Sequence, residues 1–470
     1  MISMESIIHQ LAQELGEKIL KRAIYEEKDL DTLCSEVSSD CKNTAKQMIQ
    51  CILSEWNEQI RKDKVGRKEL GLVLQQKERP RAQVTALGHL EWNRDYYYDK
   101  TRDAYVSPLD EILNVSKYER ITRNVSAGLI NYATSMSYAK SAEMVTDCAI
   151  SRQSVRNCLL RLDVPEVDMP QQKKVVKELH IYADEDHAHL QREHKEKGKR
   201  GQIIPLVTVT EGTKSVSNSR NATVNPVRFV NEKFSSKELW KTVEGYIDSA
   251  YEINEIEKIW VHGDGGGWIR NGLENYPQTL HVMDGYHFYK ELRKLCKEFP
   301  TRNLRVTITN CLKDNNRNKV YAVIGELIQD SQLDDVAKIV ETFGIYLMGH
   351  WEEIRRLVIE DIPGSCTEGQ VSHVLSERFS RDPIGWSKAA LGKLTSARVS
   401  VMNGRLICGD DIKSINQSTT YADYAEQVIQ RNCKGAIDWS IFEKTPEIFD
   451  VCANTQFIIR SLGCERNTLN

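Results

Sequence analysis

The chain has 470 residues, 40% of them hydrophobic and 28% charged, with a formal net charge of −3 at pH 7. This is room for two to four globular domains, and the near-neutral balance excludes a global nucleic-acid signature, so any phosphate contact must come from local basic patches. No run approaches the ~18 apolar residues of a membrane span, and the 12 scattered cysteines form no CxxC pair, which excludes zinc-ribbon spacing and a compact disulfide framework.

Residues 1 to about 60 read as amphipathic helices, because Ile7, Ile8, Leu11, Leu15 and Ile19 recur at helical spacing. This start lacks the unbroken apolar stretch of a signal peptide, so a reduced cytosolic compartment is expected. Arg61 to Arg81 carries a net charge of +5 and reads either as a solvated linker or as a phosphate-contacting arm. The aromatic-rich stretch 82–106 predicts a small hairpin, and Ser107-Pro108-Leu109-Asp110 opens a helical region running to about residue 163. Within it, residues 137–162 have helix-turn-helix character. Ser151 is placed to cap a second helix whose early turns present Arg152, Gln153, Ser154 and Arg156, as major-groove reading requires. Two short packed helices are also common in proteins that read no DNA.

From residue 178 the period changes to that of strands: HIYADEDHAHLQ, IIPLVTVT and NPVRFV, which fit an antiparallel meander. A helix from Ser236 to about Ala250 follows, then the strand KIWVHGD, the helix GWIRNGLENY, the strand TLHVMD and the helix YHFYKELRKLCKEF. Those crossovers imply parallel pairing. The expected class is α/β, a ribonuclease-H-like mixed sheet with a helical insertion over 300–365. The expected boundaries are 1–81, 82–170, 171–299, 300–365, 366–400 and 401–470, the last without an assignment.

Three acids stand out. Asp264 closes Ile259-Trp260-Val261 and precedes three glycines, a position that faces the ligand crevice of a parallel sheet, although Asp-Gly is also a good turn. Asp184 and Asp186 share one strand face while Glu185 points away; Asp184 is the expected metal ligand and Asp186 its alternative. His187 and His189 fall on the opposite face, which disfavours a mixed His/Asp zinc site. Glu368 lies in Ser365-Cys366-Thr367-Glu368, which matches a capping box. It is also expected on an inward stripe with Val371, Leu375 and Phe379, whereas Glu377 would point to solvent. Asp284 and His287 form a D-x-x-H cluster that either orients substrate and metal or merely caps a helix.

The blocks YADEDHAHLQ, WVHGDGGGWI, VMDGYHFYK and CTEGQVSHVLSERFSRDPIGWS, with YYYDKTRDAYVSPLDEILN and SYAKSAEMV upstream, resemble a bacterial insertion-sequence transposase family. That family is distantly related to the Mutator-type transposases and was long listed as an uncharacterised protein family. The resemblance covers roughly residues 85–405. It implies an RNase-H-like core of the Asp-Asp-Glu type, with the triad on Asp184, Asp264 and Glu368, spaced by 80 and 104 residues.

The expected activity is cleavage of the element's ends and their transfer to target DNA. Three carboxylates would hold two Mg²⁺ ions about 3.5–4 Å apart, with Mn²⁺ as a substitute. The expected partners are the terminal inverted repeats and target DNA, bound by a homodimer or higher oligomer on paired ends, in the cytoplasm and associated with the nucleoid. The segment 192–200, with Lys195, Lys197, Lys199 and Arg200, is expected to grip phosphates. Two other readings remain: a non-catalytic DNA-binding protein using only residues 82–163, and an RNase-H-like nuclease without strand transfer.

Overall fold

A computed structural model describes residues 4–25, 29–146, 149–191, 201–217, 220–360, 362, 366–382, 384–414 and 420–433. The chain divides into two units, residues 1–120 with 414–470, and residues 121–413. The division falls inside the expected 82–170 region, so its aromatic strands and its paired helices belong to different units. Among the described residues no helix is long and apolar enough to cross a membrane.

In the first unit, helices α1 (Met4–Tyr25), α2 (Leu30–Lys62) and α3 (Lys64–Glu69) precede a three-stranded antiparallel sheet. Its strands are β1 (Leu72–Thr85), β2 (Gly88–Asp99) and β3 (Ala104–Val106), followed by the short helix α4 (Pro108–Ile112). Leu53, Ile60, Trp92, Tyr97 and Leu109 make its core with Ala425 and Val428 of the last described helix, Ala422–Cys433.

The basic stretch 61–81 is not a linker: it is the end of α2, then α3, then most of β1. Several of its arginines are spent on structure. Arg61 pairs with the fully buried Asp95 at 2.6 Å, and Arg67 reaches the Arg61 carbonyl and stacks over Tyr97. Arg81 donates to the carbonyls of Ser116 and Glu119. Asp95 also accepts from the Asn57 side chain and the Glu78 N–H. Asp95→Ala therefore leaves several donors without their acceptor, and a loss of about 3 kcal/mol is expected from the midpoint of chemical denaturation.

The second unit begins with three short helices, α5 (Arg123–Ala133), α6 (Tyr138–Thr146) and α7 (Arg152–Leu160). Its sheet has strands β4 (Glu178–His189) and β5 (Gly201–Thr210), then a side hairpin of β6 (Thr213–Ser217) and β7 (Arg220–Thr223) that the alternation did not reveal, then β8 (Val227–Phe229). Helix α8 (Ser236–Ala250) leads to β9 (Lys258–Gly263), a single turn α9 (Gly267–Arg270), β10 (Thr279–Met283) and α10 (Gly285–Glu298).

The order across the sheet is β10-β9-β4-β5-β8. β4, β5 and β8 pair antiparallel, while β4, β9 and β10 run parallel, so the expected meander with two crossovers is present. One face of the sheet is aliphatic, with Leu179, Ile181, Val207, Ile259 and Val261 packed under Leu239, Val243 and Ile247 of α8.

The helix expected over 267–276 stops after one turn. Leu273 takes a left-handed φ of 59°, and Gly272 lies against the Trp240 ring where a Cβ would collide.

Four helices follow: α11 (Leu304–Lys313), α12 (Arg317–Asp330), α13 (Asp334–Gly349) and α14 (Trp351–Ile359). With α10 they close their own apolar core around Phe288, Leu312, Leu327, Leu347 and Trp351. The next helix is α15 (Thr367–Val371), a π turn (Ser372–Ser376) and α16 (Glu377–Phe379), with α17 (Lys388–Met402) behind it. Two buried arginines fix this segment. Arg398 of α17 donates to the carbonyls of His373, Val374 and Thr134, and Arg378 donates to that of Ala133, so both satisfy the carbonyl end of α5.

Candidate functional site

Strand register brings three aspartates together. Tyr182 pairs with His262 across parallel β4 and β9, so Asp184 and Asp264, each two residues further on, leave the same face side by side. Met283 pairs with Gly263 across β9 and β10, which sets Asp284 opposite Asp264. Asp264 and Asp284 thus follow the C-terminal ends of β9 and β10, where open α/β sheets bind ligands, and Asp184 joins them from the middle of β4, which runs on past its pairing with β9.

Each carboxylate uses one oxygen on nearby backbone. Asp184 Oδ1 accepts from the Glu185 N–H at 2.8 Å, Asp264 Oδ1 from Gly266 at 2.8 Å, and Asp284 Oδ1 from Tyr286 at 2.9 Å. Asp284 is therefore the cap of α10 and a member of the acid cluster at once. Its Oδ2 is buried without a hydrogen bond, as are His287 Nδ1 and the Tyr346 hydroxyl.

The electrostatics follow from this crowding. Burial pushes the Asp184 carboxyl up to about 6; Asp264 and Asp284 add to the rise, while the Glu185 N–H and His287 oppose it. His287 moves up, first through Asp284 and then through Asp184 and Asp264 as well. Its Nδ1 lies 3.7 Å from Asp284 Oδ2, too long for a hydrogen bond but within reach of an ion pair. The pocket is thus acidic, with one imidazole as counter-charge.

The other expected residues are placed differently. Asp186 is engaged elsewhere: both its oxygens lie within 3.0 Å of the Ser380 hydroxyl. Glu368 is exposed on the first turn of α15, whereas Thr367, Val371, Leu375 and Phe379 are buried. The inward stripe therefore begins at Thr367, not at Glu368. Val371, Leu375 and Phe379 keep the expected inward side across the π turn, and only the first position of the stripe, Glu368, departs from it. The helix cap is Cys366, with no side-chain cap bond, rather than the expected capping box. Its neighbour Ser365 lies outside the described residues.

Arg152 and Gln153 are exposed, Ser154 and Arg156 half-buried, and the Ser151 side chain caps α7 at the Ser154 N–H as expected. Lys195, Lys197, Lys199 and Arg200 lie outside the described residues.

Among the described residues no group of three or more His, Cys, Asp or Glu side chains is arranged to hold a metal ion as it stands. The donor set nevertheless fits a divalent cation. It consists of carboxylate oxygens, one of them buried without a partner, in a pocket whose acids repel one another.

A family model spanning residues 24–413 matches the chain. The chain belongs to the uncharacterised protein family UPF0236. A UPF0236 protein of Caldanaerobacter subterraneus subsp. tengcongensis, whose name joins eleven locus designations, is 31% identical over 380 residues, covering 80% of this chain and 78% of the relative. Another from the same organism is 30% identical over 407 residues, covering 85% and 84%. A UPF0236 protein of Streptococcus gallolyticus, named for the vanSb 3′ region, is 23% identical over 343 residues, covering 68% and 73%. Among solved structures, the Drosophila P element transposase strand transfer complex matches 68% of this chain and 82% of its own at 12% identity. Its TM-score of 0.24 is too low to establish a shared fold.

In this UPF0236 chain the helices after β10 reach the acidic pocket, which the sequence did not suggest. Tyr346 of α13 lies within electrostatic reach of Asp264 and Asp284, and burial drives its hydroxyl upward. His350, between α13 and α14, packs on Gly265 of the glycine loop, and its Nδ1 accepts from Arg270 at 2.8 Å. Arg270 also holds the Gly349 carbonyl and pairs with Glu353 at 2.9 Å. The i, i+4 spacing of Tyr346 and His350, two polar rings on an otherwise apolar turn, was the available signal.

Gly265 has φ 86°, and a Cβ there would meet the His350 ring. Gly265→Ala is expected to cost about 1–3 kcal/mol in thermal or chemical unfolding, because it adds backbone strain and a clash together.

Proposed function

We propose that this chain is a DNA transposase that cleaves the ends of its own element and joins them to target DNA. The observation that carries this reading is the row of Asp184, Asp264 and Asp284 on one sheet face, Asp264 and Asp284 just past the ends of β9 and β10 and Asp184 beside them in the adjacent parallel β4. The strand order adds support, because a three-stranded meander extended by two parallel strands is the ribonuclease-H-like order. After α10, four helices also intervene before the helix bearing Glu368, as an Asp-Asp-Glu core with a helical insertion would have. A relative whose single name joins eleven loci is what a self-copying element would leave behind.

Asp184 and Asp264 would hold divalent cations, with Glu368, exposed on the first turn of α15, as the third carboxylate and Asp284 and His287 supporting them. Bound Mg²⁺ would supply charge stabilisation and an activated attacking oxygen. The chain's own residues do the rest. The Asx bonds at Glu185 and Gly266 fix the direction of two carboxylates, and His350 and Arg270 brace the loop that carries Asp264. In cleavage, water attacks phosphorus and a 3′-hydroxyl leaves. In transfer, that 3′-hydroxyl attacks a target phosphodiester, so one such bond is made for each one broken and no external energy source is needed. Exposed Arg152 and Gln153 of α7 are assigned to the terminal repeats.

The test incubates the purified chain with pre-cleaved element ends, a target plasmid and Mg²⁺. Joined products support the proposal. Nicked DNA alone makes the chain a nuclease, and binding indifferent to Mg²⁺ makes it a DNA-binding protein without catalysis.

A further inference from the structure

Beside the acid cluster, α10 and the start of α11 enclose a groove of about 590 Å³ that begins at Gly285, the residue after Asp284. Its walls combine rings with cations. Tyr286 is 47% exposed, and Lys290, just outside the lining, lies over its ring at 5.5 Å. One turn on, Arg305 lies over Tyr289 at 5.6 Å, and the exposed Arg293 donates to the Tyr289 carbonyl. Arg302 also lines the groove but is neutralised by Glu326 and Asp330. Among the described residues, no carboxylate stands within ion-pair distance of Lys290, Arg293 or Arg305; Glu291 on the same helix is taken by Lys294.

We infer that this groove binds single-stranded DNA, leading the strand away from the phosphodiester held at the acid cluster. Here one exposed ring, Tyr286, and one half-buried ring, Tyr289, are flanked by uncompensated cations, and such sites hold a single strand by stacking bases on the rings while the cations follow the backbone. The wall residues recur at i, i+3 and i+4 on α10, so the track runs along one helix face from Tyr286 towards Arg293. A duplex presents its bases already stacked and offers the rings no free faces. The inference rests on the transposase reading for its direction, and it concerns binding rather than chemistry.

The test is fluorescence anisotropy of the full chain with a short labelled single strand and with the same sequence as a duplex, in buffer without divalent ions. Three variants are compared with the wild type: Tyr286→Ala, the triple Lys290→Gln/Arg293→Gln/Arg305→Gln, and the charge-keeping triple Lys290→Arg/Arg293→Lys/Arg305→Lys. Tyr286→Ala is expected to weaken single-strand binding roughly tenfold. The Gln triple is expected to reduce the salt slope by about 2, and the charge-keeping triple to retain both affinity and slope. All the substituted side chains are exposed or half-buried, so melting temperatures should match the wild type.

Wild-type preference for duplex, or single-strand affinity unchanged in the Gln triple, overturns the groove assignment whatever the strand-transfer assay gives. Loss of binding in these variants supports the groove even if no joined products ever form, in which case it is the transposase reading that falls.

Discussion

Asp264→Asn should remove strand cleavage and joining while leaving the binding of element ends at its wild-type level. The substitution keeps the shape of the side chain, and its amide oxygen can still accept from the Gly266 N–H, so the loop stays in place. What disappears is a formal negative charge at the edge of β9, between Asp184 and Asp284. A group one step removed from a bound metal typically costs ~10–100-fold when lost, so removal of a carboxylate proposed to touch it should exceed that. Glu368→Gln is expected to fall with it. Gel analysis of cleaved and joined products, run beside a binding assay on the same ends, measures both halves. Wild-type cleavage by Asp264→Asn would remove this residue from the chemistry.

Asp184→Asn should stabilise the metal-free protein above neutral pH. The folded state holds this carboxyl at about 6, above the ordinary value of 3.8, and the side chain is only 8% exposed, so solvent screens little of the effect. Between those two values the folded chain binds more protons than the unfolded chain, so stability falls as pH rises through that window. The charged form then carries a penalty of about 3 kcal/mol above pH 6, at 1.36 kcal/mol per unit. Asparagine has no charge to bury. Its advantage should be largest at pH 8 and absent below pH 4, as read from chemical denaturation. Mg²⁺ should stabilise the wild type more than the variant, because an ion that binds only the folded state shifts the balance by mass action.

The sheet was legible because its strands are apolar, β-branched runs, two of them followed directly by acids. Asp264 and Asp284 each follow such a run and Asp184 lies within one, and parallel register then brings the three side by side without any further signal. Helix α8 was equally legible, from an apolar stripe that begins after a serine cap.

The parts that were not legible depend on partners distant in sequence. Helix 267–276 breaks because Gly272 lies under Trp240, which is contributed by another helix. The charges of 61–81 read as free because Asp95 and the carbonyls of Ser116 and Glu119, which engage Arg61 and Arg81, lie well outside the stretch. Glu368 was drawn inward by extending the stripe of Val371, Leu375 and Phe379 back to the first turn of α15, where Thr367 takes the buried side instead. Tyr346 and His350 lie in the helices between the sheet and α15, and only the packing of α13 and α14 brings them to Gly265 and the acids.

Asp184, in the middle of β4, and Asp264, just past the end of β9, are proposed to grip a divalent cation between them. The most direct measurement of this grip is an anomalous difference map from crystals of the full chain soaked in Mn²⁺. The proposed function predicts a peak between these two carboxylates, lost in Asp264→Asn. A map with no peak there, from crystals that bind Mn²⁺ at another place, would contradict it.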